Sequence, residues 1–147
     1  MAEIRDISKR IVMWNDERGL LKTPEHVNLE IEMSFITEEL LEMCTGLKSS
    51  EARTKALALA ALINDPEHEQ TPEQVVDAAG DIIVFATGLI RKMGYCPEEA
   101  MHEVLKEIES RGGSIIDGKF TKDKSPEAQA KWYKANFGNA EIPKQNV

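Results

Sequence analysis

IEMSFITEELLEM (residues 31–43) and VVDAAGDIIVF (residues 75–85) set the acids Glu38, Glu39, Glu42, Asp77 and Asp81 among residues that belong in a core. Both stretches read as helices. Asp77 and Asp81 lie four apart and so share one helical face, with Val75, Val76, Ile82, Ile83, Val84 and Phe85 around them. An unpaired charge buried in such company is costly and would sooner take up a proton than stay ionised, so a cation is needed to balance it. Glu39 and Glu42 are three apart and share a face with Glu32 and Phe35, while Glu38 is turned about 100° from Glu39. Two carboxylates from each of two facing helices make an oxygen-rich cage. Such a cage suits a hard divalent ion, Mg²⁺ or Mn²⁺, and leaves positions open to phosphate. The alternative for EELLE is a solvated face, the ordinary place of charged residues. DAAGD has aliphatic runs on either side and tips the balance toward the metal.

The 147 residues suit one domain, residues 1–147, with a core of its own. Hydrophobic content of 41% with 30% charge is that of a globular chain. No apolar run reaches the length of a membrane span, and MAEIRDISKR has no apolar leader segment, so a cytoplasmic location without a membrane partner is expected. Cys44 and Cys96 lack CxxC spacing, which argues against a disulfide framework or structural zinc and leaves them as small buried hydrophobes. A net charge of −8 makes nucleic acid a poor partner. A bound polyphosphate would need metal ions to screen it.

Helix starts repeat one device: Thr23-Pro24-Glu25, Thr71-Pro72-Glu73 and Ser125-Pro126-Glu127 each place a capping hydroxyl, a proline at the first helical position and a glutamate in the first turn. Cys96-Pro97-Glu98 is a weaker copy. Gln74 completes a capping box with Thr71, and Gly46, Gly94 and Gly112 fall where C-terminal caps belong. The spacing predicts helices over 2–15 (stripe Ile4, Ile7, Ile11, Trp14), 24–44, 51–63, 72–93, 97–111 and 126–136. Gly80 and Gly88, inside the fourth, imply close approach by another helix or a ligand. Ile115 and Phe120 are expected to pair as a short hairpin around Asp117-Gly118, and the tail, residues 138–147, to be loose. The fold class is therefore all-α, a helical bundle.

The order EELLE, DAAGDIIV, then EIESRGGSIIDGKFTK and SPEAQAKWYKANF resembles the phage-type MazG-like nucleoside triphosphate pyrophosphohydrolases, of the all-α group that includes phosphoribosyl-ATP pyrophosphohydrolase and the all-α dUTP and dCTP pyrophosphatases. The resemblance covers most of the chain from Trp14 onward. It implies a bundle completed as a homodimer or homotetramer, and Mg²⁺- or Mn²⁺-dependent hydrolysis of a nucleoside triphosphate to the monophosphate and pyrophosphate. On this resemblance Glu39 and Glu42 match the metal-binding pair of EExxE, with Glu38 a candidate base beside Glu39. The later ExxD motif matches at Asp81 and departs at Ala78, where glutamate is expected. Asp77, Glu38 or water then completes the metal shell.

Metal-fixed carboxylates answer what attack on a crowded phosphorus needs: neutralised charge, positioning and an activated water. Arg111, Lys119 and Lys122 flank a Gly-rich turn and are candidate phosphate contacts; the alternative is ordinary surface cations. Trp14 and Asn15 offer stacking and amide hydrogen bonds to a base, against the alternative of a Trp on an inward apolar stripe. That pair gives a slight preference for a purine such as dGTP or GTP, with dCTP, dUTP or broad house-cleaning as alternatives. A ferritin-like di-iron bundle wants two Glu-x-x-His motifs and finds one, Glu99 to His102. A helical oligomerisation or regulatory protein without turnover is the non-catalytic alternative.

Overall fold

The computed structural model describes residues 6–117 and 119–143. Six α-helices and one two-stranded sheet are found among them: α1 (Ile7–Glu17), α2 (Leu29–Thr45), α3 (Ser49–Ile63), α4 (Pro72–Lys92), α5 (Pro97–Glu109), β1 (Gly113–Ile116), β2 (Lys119–Lys122) and α6 (Pro126–Gln129), with 3₁₀ turns at Pro24–His26 and Phe137–Ala140. The all-α expectation holds at that level. No helix among the described residues is long and apolar enough to cross a membrane. The chain divides into two compact units, Met1–Leu21 with Asp77–Val147, and Lys22–Val76.

In the unit Lys22–Val76, the helix expected from Pro24 is broken. Pro24–His26 form one 3₁₀ turn, and α2 starts afresh at Leu29 because the Asn28 side chain accepts from the Ile31 N–H at 3.2 Å. Thr23 makes no capping bond; its hydroxyl meets His26 Nδ1 instead. Gly46 closes α2 in the left-handed conformation, φ 64°, which a side chain would disfavour. α3 packs on α2 through Ala52, Ala56 and Ala60, four apart and fully buried, while Leu57, Leu59, Leu62 and Ile63 stay exposed. This helix pair is held by small side chains that let the backbones come close rather than by large apolar ones.

The other unit is built on α5, the most buried helix, with Ala100, His102, Glu103 and Leu105 inside. α1 begins at Ile7, capped by Asp6, rather than at Ala2, and extends past Asn15 to Glu17; Ile4 lies outside the described residues. Its buried residue is Arg10, not the apolar stripe, since Ile11 is exposed and Ile7 and Trp14 are half-buried. The hairpin forms as expected, with Ile115 opposite Phe120 and Asp117 at φ 51°; Gly118 lies outside the described residues. A Cβ on Gly113 would meet the Thr121 carbonyl oxygen at 2.0 Å, so this strand start admits no side chain.

The last helix is shorter than expected and stops at Gln129. The chain then folds back: Cys96 N–H donates to Ala140 O at 2.8 Å and Ile142 N–H to Gly94 O at 3.0 Å, so the tail is paired through Ile142, while residues 144–147 lie outside the described ones. Gly112 does not cap α5, which ends at Glu109 with Ser110 as its C-cap. Cys44 is exposed and Cys96 half-buried rather than core. No described atom beyond the chain neighbours and the helix's own backbone lies within 4 Å of a Cβ placed at Gly80 or Gly88.

Candidate functional site

The capping box at Thr71 sets the start of α4 as the spacing requires: Thr71 N–H donates to Gln74 Oε1 at 2.9 Å and Gln74 N–H to Thr71 Oγ1 at 3.2 Å. From there Asp77 and Asp81 fall on one face, but that face is not a core. Both aspartates are exposed, α4 has no buried residue, and Val76, Ile83, Val84 and Phe85 are 66–75% exposed. The expected burial of these acids is corrected accordingly. Neither aspartate makes a hydrogen bond or ion pair with a described residue. Like charges at this spacing repel, and no described protein cation relieves them.

On α2 the acids divide. Glu38 is buried, 7% exposed, and its Oε2 takes a 3.3 Å ion pair from Arg53 on α3. Arg53 also donates to Ser34 Oγ at 2.8 Å, and its guanidinium lies 4.6 Å from the centre of the Phe35 ring. The turn of about 100° between neighbours then carries Glu39 outward, where it is exposed, and leaves Glu42 half-exposed. Glu38 thus fixes the rotation of α2, and the carboxylates turned toward water are those of Glu39 and Glu42. Within each unit taken by itself, no three described His, Cys, Asp or Glu residues gather closely enough to hold a metal. In donor type, each unit offers what Mg²⁺ or Mn²⁺ takes: Asp77 and Asp81 in one, and Glu42 in the other, carry hard carboxylate oxygens unclaimed by described protein cations.

The cations predicted to meet phosphate lie around the hairpin. Arg111 is held by an ion pair to Glu107 and lies 5.4 Å from the Trp132 ring centre. Lys119 and Lys122 sit on β2 opposite Ile116 and Gly113. Partial burial pushes the Lys122 ammonium below its ordinary pKa, and the charges of Arg111, Lys124 and Lys119 push it further.

Trp14 and Asn15 are already engaged. Trp14 Nε1 donates to Ile108 O at 3.4 Å, its ring meets Phe120 edge to face at 5.6 Å, and the Arg18 guanidinium lies 4.5 Å from its centre. Asn15 Nδ2 donates to Ile11 O at 2.8 Å within α1. Trp14 ties α1 to α5 and the hairpin, while Asn15 is bonded within its own helix.

Two buried polar centres escaped sequence reasoning. Glu103, 3% exposed, accepts from Lys106 Nζ, from Tyr133 Oη at 2.5 Å, from Asn136 N–H at 2.9 Å and from Asn139 Nδ2 at 3.2 Å. These donors, Lys106 foremost, hold its carboxyl down to about 2. Arg10 forks onto Glu109 at 3.2 and 3.0 Å and meets His102 Nδ1 at 2.7 Å. An arginine has only donors, so His102 Nδ1 is the acceptor and the ring proton sits on Nε2, 3.9 Å from Glu98. The histidine of the one Glu-x-x-His motif is therefore engaged in docking α1. A polar residue on a buried helical face was the available signal, but the partners of both centres lie far along the chain. Set against models of known protein families, curated proteins and solved structures, the chain matches none of them.

Proposed function

We propose that this chain is a MazG-like, Mg²⁺- or Mn²⁺-dependent pyrophosphohydrolase that cleaves a (deoxy)nucleoside triphosphate to the monophosphate and pyrophosphate, as a homodimer or homotetramer. The observation that carries the reading is the pair Asp77 and Asp81, exposed on one face of α4 and unanswered by any described protein cation. The ordered motifs EELLE, DAAGDIIV and RGGSIIDGKF support it. Glu39, Glu42, Asp77 and Asp81 would hold the metal, which when bound neutralises phosphate charge and acidifies a water.

In the reaction, the water oxygen forms a bond to the α-phosphorus, the bond from that phosphorus to the α–β bridging oxygen breaks, and pyrophosphate leaves. The water proton passes to a carboxylate. Glu39, exposed, is better placed to take it than the buried Glu38. Arg111, Lys119 and Lys122 contact phosphate. The apolar residues left uncovered on α4 are what a second copy would cover, which supports the oligomeric part of the reading. A purine preference leans on Trp14 and Asn15, whose polar groups are occupied within the fold, so the base is decided by assay.

Purified protein with Mg²⁺ and each common ribo- and deoxynucleoside triphosphate should release pyrophosphate from at least one of them. Chelator should abolish that release, and Glu39→Gln should lower it by at least about a hundredfold, the scale of removing one electrostatic contributor to a transition state. Full activity in Glu39→Gln would overturn the assignment. Bound iron without pyrophosphate release would favour a di-iron bundle.

A further inference from the structure

One contact between α1 and α5 depends on the absence of a single proton. Arg10, 8% exposed and the buried residue of α1, forks onto Glu109 and brings its Nη1 to 2.7 Å from Nδ1 of His102, itself 9% exposed. The guanidinium only donates, so the contact exists only while Nδ1 keeps its lone pair. A protonated ring carries a donor on each nitrogen. Two cations would then face each other away from water, where salt screens them little.

The other groups around His102 leave that repulsion in command. From α1 the facing charge is Arg10, answered in part by Glu109, whose side chain is 41% exposed. Phe137–Ala140, the other element in broad contact with α5, carries no titratable side chain. On α5 itself Glu98 Oε1 lies 3.9 Å from His102 Nε2 and would draw an imidazolium, but its side chain is 64% exposed and an ion pair so open to water is weak. Glu99 is exposed, and Lys106, one turn on, is ion-paired to Glu103.

We propose that Arg10 and His102 form an acid-sensitive latch: α1 is docked on α5 while His102 is neutral and loosens when His102 takes up a proton. The other ties of α1, Trp14 Nε1 donating to Ile108 O and Arg18 Nη2 to the Arg111 carbonyl, use indole, guanidinium and backbone groups that do not titrate near neutrality, so the helix stays attached at its C-terminal end. The latch does not rest on the pyrophosphohydrolase reading. Histidine is the side chain whose charge ordinarily changes between about pH 5 and 8. The chain has three histidines, and the other two, His26 and His68, are exposed in the unit Lys22–Val76.

The test is amide hydrogen exchange of the full chain at about pH 8 and about pH 5.5, the range in which histidine titrates, read by mass spectrometry on peptides from α1 and α5 and corrected for the intrinsic pH dependence of exchange. Folding of every variant is checked by circular dichroism. Protection of α1 should fall about tenfold or more at the lower pH, the scale of one hydrogen bond to a charged group, while that of α5 holds. His102→Gln, whose amide oxygen accepts from Arg10 and takes up no proton, should keep α1 protected at both pH values. The double variant His26→Gln/His68→Gln should behave as wild type, and it decides alone if His102→Gln does not fold. Equal α1 protection at the two pH values in wild type, a fall that persists in folded His102→Gln, or one that vanishes in the double variant overturns the latch. A fall shared equally by α5 is acid unfolding of the whole unit and overturns it as well.

Discussion

Glu103 shows how much one residue can organise. Its carboxylate collects donors from Lys106 on its own helix and from Tyr133, Asn136 and Asn139 in the returning chain, so its charge ties the C-terminal segment to α5. Its folded pKa, about 2, is below the ordinary 4.5. A depressed carboxyl stabilises fully above the unfolded value and loses that contribution as pH falls through the folded one. Glu103→Gln is therefore expected to lower Tm at neutral pH, with the gap from wild type shrinking between about pH 4.5 and 2 in thermal melts. At Glu38 and Arg53 the logic is that of a buried pair. Arg53→Ala should cost about 3 kcal/mol in denaturant unfolding because it takes the cation from a buried carboxylate, and adding Glu38→Leu should recover part of the loss. If the second change deepened the loss, Glu38 would owe its burial to something other than Arg53.

Among the elements, α3 is the plainest case of packing by smallness. Ala52, Ala56 and Ala60 are fully buried against α2, so Ala56→Leu should cost about 1–3 kcal/mol by overpacking. Leu57→Ala, at a position 40% exposed, should be much milder in the same unfolding experiment. KALALAALI suggested a packing helix, yet the sequence could not say that the alanines rather than the leucines face α2. Local capping was legible where donor and acceptor lie within three residues, as at Thr71 with Gln74 and at Ser125 with Ala128. It misled at Thr23, where Asn28 offered a second cap five residues later and took the helix start.

For the whole molecule, the exposed apolar side chains of α4 raise the question of assembly. Phe85 is 75% exposed, Val76 71%, and Ile83 and Val84 66% each, and apolar side chains left to water in such number mark an interaction surface. Under the oligomeric reading, Phe85→Glu should shift sedimentation from dimer or tetramer toward monomer, and pyrophosphate release should fall with it. A monomeric wild type would remove that reading.

The spans of α3, α4 and α5 to within two residues, the hairpin register and the spacing of Glu39, Glu42, Asp77 and Asp81 were determined by the sequence itself, because each depends on residues within about four places of one another. Only the tertiary structure decided that Glu38 turns inward to Arg53, that His102 serves Arg10, that Glu103 anchors the returning chain and that Asp77 and Asp81 stay in water. The reason is physical: a polar group's partner, and hence its burial and charge, is set by chain segments tens of residues away, where local periodicity carries no information.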